Sequence, residues 1–559
     1  MTVVNTPIQE FQKDLKEHKE EEEERLMGYL SDKYHYPTIR ITDIQVNPDA
    51  LQLVKEVDAR EAKMAAYKRL KGVLTIAINE PNNEKLKEIL RGIEEKGYSH
   101  ELMLASNKTL EQIWMYYKDI VTTSATAPGT LSITNEELEE KVKNIRSVDA
   151  VREMLRDLKK MSRARRISKN VEYIIATAVA VNASDIHIEP SPDGGAVRYR
   201  IDGVLTDIAD LDELEYKQMV TRMKLVSGMK ITAKGAQDGG FVVHLARRTL
   251  SVRSSVIPED EGGSFVVRLL DPKNVMHSIE KLGIHPVVLE VFMKHIKRPN
   301  GMILNTGPTG SGKTTTLYSF LNEVKGEHIK TVTLEDPIEY RLEGIVQTEI
   351  DKDYSFASGL RAILRQDPDV ILVGEIRDAE VAQVAVQAAL TGHLVFSTLH
   401  TNDALGALPR LLQFEVDPQA FSRAINIVIA QRLVRQVCPK CSEQHPLTDS
   451  QKEVIQQMIE KFPERYKEDF DFSAIKRPSE MSQNCQECNN GYKARIGVFE
   501  VFEVNDAIEQ TIREESGVAT LREEVRKQGL PCMEDDALWK ALKGITSLEE
   551  IERVIGVVV

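Results

Sequence analysis

The stretch GMILNTGPTGSGKTTTLYSFLNEV at residues 301–324 constrains the fold more than any other part of the chain. The apolar run Met302–Leu304 is typical of a buried strand, and residues 315–324 have helical spacing. Between them, residues 307–314 match the phosphate-loop pattern G-x-x-x-x-G-K-T. Its glycines let several backbone N–H groups converge on a phosphate, and the N-terminus of the following helix adds partial positive charge. The order strand, loop and helix predicts an α/β nucleotide-binding core.

The residue types in this loop predict contacts with a nucleoside triphosphate and its metal. The Lys313 ammonium would reach the β- and γ-phosphates, and the Thr314 hydroxyl would bind Mg²⁺. The candidate nucleotide-binding residues are Gly307, Thr309, Gly310, Ser311, Gly312, Lys313, Thr314 and Thr315.

An acidic segment follows the loop at residues 331–339, TVTLEDPIE. Its β run delivers Glu335, Asp336 and Glu339 to the carboxyl end of a strand, which is the ligand side of an open α/β sheet. A carboxylate there could orient the water that attacks a phosphate. The alternative is that these carboxylates are structural partners of arginines.

A second acidic segment, VILVGE, ends at Glu375. Gly374 stands where many P-loop enzymes place the Mg²⁺-binding aspartate, so Glu375 would serve the metal shell, the water or both. As the alternative, Glu375 would pair with a nearby guanidinium group, for which the candidates are Arg361, Arg365 and Arg377.

Two histidines bracket a third apolar strand, LVFSTL, at residues 394–399. A lone histidine is more often a packing residue than a catalyst. One that lies beside a strand whose neighbours end in acids could sense the γ-phosphate through a hydrogen bond. His393 and His400 are therefore both candidates.

Four of the five cysteines form two C-x-x-C pairs. Cys438 and Cys441 are separated from Cys485 and Cys488 by 43 residues. Zn²⁺ is commonly held by four thiolates in a tetrahedron, and each pair supplies two from one tight turn. The pattern predicts a closed structural zinc site, with a redox pair or incidental thiols as alternatives. Cys532 stands alone and is expected to pack as a small apolar side chain.

Charge and composition narrow the function classes. With 73 basic and 87 acidic residues, the chain has a net charge of −14, which argues against a surface that coats nucleic acid. The chain lacks an apolar run of 18 residues, and its start, MTVVNTPIQEFQKDLKEHKE, lacks a signal-peptide pattern. Five cysteines are too few for a disulfide scaffold. We therefore expect a soluble cytoplasmic protein that does not bind nucleic acid.

A length of 559 residues predicts about four domains. Residues 1–120 are expected to form a small α/β docking domain that begins with a solvated charged run, Glu20–Glu24. Residues 121–150 are expected to be a flexible linker, since their first half is rich in Ser, Thr, Ala, Pro and Gly. The remaining expected domains are a middle α/β domain at 151–283, the nucleotide-binding domain at 284–430 and a helical, zinc-carrying part at 431–559.

The middle domain carries two arginines at alternate strand positions. Arg198 and Arg200 lie in AVRYRI, which places both guanidinium groups on one face of a sheet. An ordinary solvated strand face is the alternative interpretation.

Taken in order, the motifs resemble the secretion ATPase superfamily, and within it the GspE/PilB branch of type II secretion and type IV pilus assembly motors. They are GPTGSGKTTTLY, TLEDPIE, ILRQDPDVILVGEIRDAEVA, TGHLVFSTLHTNDA and IAQRLVRQVCPKC, with ASDIHIEP and VRYRIDGVL upstream and CQECNNGYKARIGVFEVF downstream. The resemblance covers residues 150–559 and is loose in the front domain. It implies a RecA-like P-loop ATPase core, a PAS-like α/β middle domain, and ATP, Mg²⁺ and Zn²⁺ as ligands.

The resemblance also implies roles for single residues. Glu339 and Glu375 would activate the attacking water, and His393 and His400 would be the histidine-box residues. The middle-domain arginines that would approach nucleotide in a hexameric ring are Arg198, Arg200, Arg253 and Arg268. Their role would be to stabilise the charge that develops on the transferred phosphoryl group.

The implied function is a cytoplasmic hexameric ATPase that powers type IV pilus assembly, recruited to the inner membrane by a platform protein and a docking protein. A type II secretion motor is the alternative. A pilus retraction ATPase, a DNA translocase and a non-hydrolysing nucleotide-gated adaptor are less favoured. Gly240 and Gly263 stand where the family commonly has arginine and glutamate, and the front domain lacks a clear Arg-Leu-Gly motif for cyclic di-GMP.

Overall fold

The structure is a computed structural model of the chain. It describes residues 27–39, 46, 48–51, 53–70, 73–95, 98–115, 117, 130–133, 136–143, 145–159, 163–231, 233, 235–245, 248–259, 263–271, 278–471, 473–514 and 517–557. The chain divides into two compact units. The first comprises Met1–Ser132 and Met161–Val171, and the second comprises Ile133–Lys160 and Glu172–Val559.

The first unit is built on a three-stranded sheet. Its strands are β1 (Met64–Leu70), β2 (Val73–Ile78) and β3 (Ser99–Leu104), and its helices include Pro48–Leu51, Glu56–Glu61, Glu84–Glu95 and Asn107–Met115. Strand β2 is central, antiparallel to β1 and parallel to β3. The indole of Trp114 is buried against this sheet and donates to the Met64 carbonyl oxygen at 2.9 Å. These contacts give the small α/β unit an apolar core of its own.

An antiparallel sheet forms the first layer of the second unit. Its strands within this unit are β5 (Ala183–Ser191), β6 (Gly194–Ile201), β7 (Val204–Asp212), β8 (Gln237–Leu245), β9 (Arg248–Ile257) and β10 (Ser264–Leu270). The preceding strand, β4 (Thr130–Ile133), falls mostly in the first unit. Strands β5 to β10 lie in the order β8-β9-β10-β5-β6-β7. The accompanying helices are Glu136–Lys143, Val148–Lys159, Arg163–Ala180 and Glu213–Val226. The buried Tyr216 ring packs on Gly195, and its hydroxyl donates to the Gly263 carbonyl oxygen at 2.8 Å.

The core sheet of the second unit has seven strands in the order β13-β12-β14-β15-β11-β16-β19. Its strands are β11 (Gly301–Thr306), β12 (Thr331–Glu335), β13 (Val346–Glu349), β14 (Val370–Val373), β15 (Leu394–Leu399), β16 (Ile425–Val437) and β19 (Tyr492–Glu503). All pairs are parallel except that of β16 with β19. The helices around it are Pro286–Ile296, Lys313–Val324, Phe356–Ile363, Ala379–Leu390, Ala407–Gln413 and Pro418–Ala424.

The parallel strands are covered along their whole length. Every residue of β11, β12, β14 and β15 is buried. Parallel sheets need cover on both faces, and their strands are therefore mostly apolar. Since the four strands share one direction, their carboxyl ends lie on one edge of the sheet.

The C-terminal segment is attached to the core sheet through β19. Its remaining elements are β17 (Ser442–Pro446), β18 (Ala474–Pro478) and the helices Asp449–Glu460, Asp506–Arg513, Val518–Lys527, Met533–Leu542 and Leu548–Ile555. Short 3₁₀ turns occur at Ile279–Leu282, Leu364–Gln366, Glu464–Tyr466 and Glu480–Asn484. Asp536 and Lys540 of helix Met533–Leu542 form a buried ion pair in the interior of this segment. Asp536 also accepts the Phe499 amide hydrogen at 2.8 Å.

The strands and helix predicted around the phosphate loop are confirmed, and two other expectations need correction. Residues 130–133 and 136–143 lie in the expected linker but form a strand and a helix. Cys532 is exposed rather than packed, because it occupies the N-cap of helix Met533–Leu542. The run Glu20–Glu24 lies outside the described residues.

The domain division at 120, 150, 283 and 430 stays a prediction, and β16 runs across the last of these boundaries. Within the described part of the chain, no helix combines the length and the apolar character needed to cross a membrane.

Removal of Asp536 tests the buried ion pair. Lys540 is fully buried, and burial lowers its pKa while Asp536 opposes that shift. Breaking a buried pair leaves an uncompensated charge, which costs about 3–5 kcal/mol. We expect Asp536→Ala to lower the free energy of unfolding by that amount in urea denaturation followed by circular dichroism.

The matched control is Glu524→Ala, which breaks an exposed pair with Lys527 at 2.5 Å. It should leave the urea midpoint almost unchanged. An Asp536→Ala midpoint equal to that of the wild type would contradict this account of the C-terminal core.

Candidate functional site

A cleft of about 1130 Å³ lies between the antiparallel sheet and the phosphate-loop edge of the core sheet, within the second unit. The residues from Pro308 to Thr315 line it. Arginines from several parts of the chain also line it: Arg200, Arg268, Arg377, Arg432, Arg495 and Arg553. Six acidic side chains line it as well: Asp185, Asp202, Glu335, Asp336, Glu339 and Glu375. The positive and negative groups of the lining are therefore nearly equal in number, and the positive ones beside the phosphate loop suit an anionic ligand.

The phosphate loop has backbone angles that its glycines allow. Gly307, Gly310 and Gly312 have φ values of 147°, 77° and 88°, which side chains with a β-carbon rarely adopt. A β-carbon on Gly307 would lie 2.5 Å from the Gln431 carbonyl oxygen. The loop therefore fits closely against β16, and helix Lys313–Val324 begins directly after it.

Lys313 folds back over the loop. Its Nζ donates to the carbonyl oxygens of Gly307 at 2.7 Å and Pro308 at 3.0 Å. Burial lowers the Lys313 pKa to about 8, Arg432 acts in the same direction, and Glu375 opposes the shift. A phosphate in the cleft would favour the charged lysine and raise this pKa.

Glu375 follows β14 and lies between two basic side chains. Its carboxylate pairs with Arg377, and its Oε2 lies 3.3 Å from His400 Nε2. Arg377 Nη1 also donates to Asp336 at 2.8 Å. Because β14 and β15 are adjacent parallel strands, the residues that follow them meet. The structure thus brings together the predicted residues Glu375 and His400 at the cleft that Lys313 also lines.

Glu335, one of the alternative acids, is a buried structural partner. It accepts hydrogen bonds from the Tyr318 hydroxyl, from the Thr333 hydroxyl at 2.5 Å and from the Gln347 amide at 3.2 Å. These three donors occupy the carboxylate, so Glu335 has structural partners, but none of the three is an arginine, which was the alternative that the sequence suggested.

Glu339 lines the cleft from the loop after β12. Burial raises its pKa, and Arg253 is the largest opposing influence. Arg253 Nη2 donates to the Ile338 carbonyl oxygen at 2.8 Å, so this arginine of β9 reaches the acidic loop. A carboxyl group with a raised pKa is suited to accept a proton from water near neutral pH.

The other middle-domain arginines divide into two groups. Arg200 and Arg268 line the cleft and share one carboxylate: Arg268 Nε lies 2.9 Å from Asp185 Oδ1 and Arg200 Nε 3.7 Å from Asp185 Oδ2. Arg198 donates through Nε to Glu189 at 2.9 Å and is absent from the described residues that line the cleft. It lies two residues before Arg200 on β6, about 7 Å away.

His393 lies at the opposite edge of the core sheet. It precedes β15 whereas His400 follows it, and the intervening strand separates them by about 20 Å. The His393 Nδ1 atom lies 2.9 Å from the Ala388 carbonyl oxygen. Its own carbonyl accepts the Gly301 amide hydrogen at 3.1 Å. Within this chain, His393 therefore makes structural contacts. It does not lie at the place beside a bound phosphate that the sequence predicted.

Sequence analysis missed three arginines that line the cleft, Arg432, Arg495 and Arg553. The first two fall in motifs quoted above, so a local signal existed. Arg553 has none, because only the docking of helix Leu548–Ile555 brings it there, where Glu550 holds it at 2.7 Å.

The four paired cysteines form one cluster. The sulfur atoms of Cys438, Cys441, Cys485 and Cys488 all lie within 4.8 Å of one another, and the Cys441 and Cys488 sulfurs are 3.5 Å apart. Zn–S bonds of about 2.3 Å would place the sulfurs of a regular tetrahedron roughly 3.8 Å apart. The donor set and its spacing therefore fit Zn²⁺.

A phosphate loop and acids that follow neighbouring parallel strands, in a cleft that arginines also line, together define a P-loop ATPase. The sequence matches the family described as type II/IV secretion system protein over residues 160–553. The chain belongs to this family, and it is a motor ATPase of the secretion and pilus class. The resemblance expected from the motifs is confirmed.

Relatives of two kinds match the chain. Type IV pilus assembly ATPase PilB of Myxococcus xanthus (strain DK1622) is 34% identical over 536 residues, covering 95% of this chain and 91% of that protein. Type II secretion system protein E of Aeromonas hydrophila is 41% identical over 392 residues, covering 69% and 75%. The solved ATPase DotB of Yersinia pseudotuberculosis has a TM-score of 0.50 at 20% identity, covering 70% and 94%, and supports the fold alone.

The low pKa of Lys313 predicts a pH-dependent affinity for nucleotide. In the nucleotide-free protein, Lys313 loses its proton as the pH rises through about 8. Above that pH, ADP binding requires Lys313 to take up a proton. We expect the dissociation constant of ADP to rise by up to tenfold per pH unit between pH 8 and 10. Isothermal titration calorimetry across that range measures it.

Lys313→Ala is the control for this dependence. It should bind ADP weakly and with little change between pH 8 and 10, since no lysine titrates at the site. A wild-type affinity that stays constant over the same range would contradict the assigned position of Lys313.

Proposed function

We propose that the chain hydrolyses ATP in this cleft, with Glu375 as the main water-activating group. The observation that carries the proposal is the Glu375–His400 pair, held 3.3 Å apart at the ends of adjacent strands and facing the cleft that contains Lys313. His400 orients the carboxylate and senses the γ-phosphate. Glu339 is the second acid, and its raised pKa supports a role in accepting the proton.

The phosphate loop binds the triphosphate in this proposal. Lys313 contacts the β- and γ-phosphates, and the Thr314 hydroxyl supplies one oxygen ligand to Mg²⁺, which would neutralise phosphate charge when bound. The backbone amides that approach the phosphates belong to Gly307, Thr309, Gly310, Ser311, Gly312, Lys313, Thr314 and Thr315. An oxygen donor set of hydroxyl and carboxylate suits a hard cation.

The middle-domain arginines stabilise the charge that develops during phosphoryl transfer. Arg200 and Arg268 already line the cleft, and Asp185 limits where their guanidinium groups can lie. Arg253 contributes by holding the acidic loop that carries Glu339, through its hydrogen bond to the Ile338 carbonyl oxygen. For Arg198, which binds Glu189 in this chain, the proposed contact would be to nucleotide of a neighbouring subunit.

Substitution of Glu375 tests the chemistry. Glu375→Gln keeps the shape of the side chain but cannot accept a proton, so we expect kcat for ATP to fall by about 100-fold or more. ADP affinity should stay within about twofold, because the phosphate loop is intact. Phosphate release measures the first quantity and calorimetry the second.

Glu380→Gln is the matched control. Glu380 is an exposed acid that pairs with Arg361 at 2.7 Å, and its amide variant should hydrolyse ATP normally. Intact hydrolysis in Glu375→Gln, with unchanged ADP binding, would make the proposed chemistry wrong.

We propose type IV pilus assembly as the work that hydrolysis drives. The match to a pilus assembly ATPase covers 95% of the chain, whereas the match to a type II secretion protein covers 69%. The match to the pilus assembly ATPase is 536 residues long, so it extends beyond residues 160–553 of the family match, whereas the secretion match is 392 residues long. Type II secretion remains the second candidate, supported by the higher identity of 41% in the shared part.

Deletion of the gene in the bacterium that carries it separates these two candidates. We expect surface pili to disappear while secretion of folded exoproteins continues. The wild-type gene should restore pili and Glu375→Gln should not. Lost secretion with normal pili would reassign the motor to type II secretion.

The proposed assembly is a homo-hexamer that works at the cytoplasmic face of the inner membrane. Its partners would be a membrane platform protein and a docking protein, and the front unit would make the contact. The names of the matched relatives, a pilus assembly ATPase and a secretion system protein, support a motor that acts within a larger machine.

We further propose that the cysteine cluster binds one structural Zn²⁺. Elemental analysis of protein purified without chelator should find one zinc per chain. Because Cys485 supplies a ligand and the exposed Cys532 does not, Cys485→Ser should lose most of the metal and Cys532→Ser should retain it. Equal zinc in the two variants, or none in the wild type, would defeat the proposal.

A further inference from the structure

Glu500 lies on β19, in the RIGVFEVF segment to which the functions above assign no role. Its Oε1 atom accepts the Ala404 amide hydrogen at 3.0 Å. Ala404 belongs to the loop after β15, here called the sensor loop, His400–Gly406. Since Ala404 is fully buried, its amide would be an unsatisfied buried donor without this carboxylate.

The other end of the sensor loop is fastened to the phosphate-loop strand. The Thr401 amide donates to the Thr306 hydroxyl oxygen at 2.9 Å, and the two hydroxyl oxygens are 2.6 Å apart. Thr306 directly precedes Gly307, the first residue of the phosphate loop. The sensor loop is therefore anchored at Thr401 and Ala404, immediately after His400.

Glu500 also connects the sensor loop to the C-terminal segment. The backbone amide of Met533, the first residue of helix Met533–Leu542, faces the same carboxylate. Glu500 is absent from the described residues that line the cleft. Any effect of Glu500 on nucleotide therefore passes through the loop that it holds.

We propose that Glu500 is a positioning residue for hydrolysis: by binding Ala404 it fixes the sensor loop and keeps His400 beside Glu375. This inference rests on the role proposed above for the Glu375–His400 pair. Loss of the anchor would let His400 leave the carboxylate without changing how the phosphate loop binds nucleotide.

The charge of Glu500 changes near neutral pH. Burial raises its pKa to about 7, and Asp403 from the sensor loop and Glu534 from the C-terminal helix act in the same direction. The amides of Ala404 and Met533 oppose the shift. The ionised carboxylate accepts from both amides, whereas the protonated form loses one acceptor. The anchor is therefore strong above about pH 7 and weakens as the pH falls through that value.

Glu500→Gln tests the proposal directly. The amide retains one acceptor oxygen but carries no charge, so it resembles the protonated state at every pH. We expect kcat for ATP at pH 8 to fall roughly tenfold, with KM and ADP affinity unchanged. The acid-side decline of kcat centred near pH 7 should be lost.

Glu534→Gln is a matched variant with a different expected effect. It makes the same chemical change on an exposed neighbour that raises the Glu500 pKa. We expect wild-type kcat at pH 8 and a shift of the acid-side decline to lower pH. A merely structural role for Glu500 would not produce this shift.

Two results would overturn the inference. One is a Glu500→Gln enzyme with wild-type kcat and pH profile, or with a raised KM and unchanged kcat. The other is an unshifted profile in Glu534→Gln, which decides the matter should Glu500→Gln fail to fold. If Glu375→Gln is inactive while Glu500→Gln is normal, only this inference fails; if Glu375→Gln remains active, the proposed function itself fails.

Discussion

The site depends on the parallel pairing of β11, β12, β14 and β15. Parallel strands end at one edge, so groups that are far apart in the sequence, such as Lys313 and His400, line one cleft without any dedicated connection. The strands can pair in this way because both faces of the sheet are covered and their side chains are buried. Burial in turn disfavours charge along the strands and leaves their ends as the natural positions for acids and bases.

The shape of the phosphate loop is fixed by a residue more than a hundred positions downstream. The buried Gln431 side chain accepts hydrogen bonds from Asn305, before the loop, at 3.1 Å and from Thr316, after it, at 2.8 Å. Gln431 lies on β16, which pairs with β19, the strand that carries Glu500. The C-terminal segment is thus part of the nucleotide site and not an appendage to it.

Local spacing explains which features the sequence predicts correctly. The phosphate loop and Glu375 are predictable because each motif includes the strand that positions it. His393 is a position that its motif predicts wrongly. It precedes β15 whereas His400 follows it, and residues at opposite ends of one strand cannot both lie at the same edge of the sheet. Arg495 lies within a matched motif, but its place at the cleft requires β19 to return from beyond the cysteine pairs and pack on β16. Arg553 has no local signal, because only the docking of helix Leu548–Ile555 brings it to the cleft.

Strand β16 joins the cleft to the cysteine cluster. This strand of 13 residues ends at Val437, directly before the cysteine cluster, and it passes Arg432 at the cleft on the way. Arg432 and Cys438 are roughly 20 Å apart along it. Strand β19 pairs with β16 along most of this length, but the register shifts between Arg435 and Val437, where a β-bulge locally bends the strand. The strand that joins the cleft to the sulfur cluster is therefore regularly paired beside Arg432 and irregular next to the cluster.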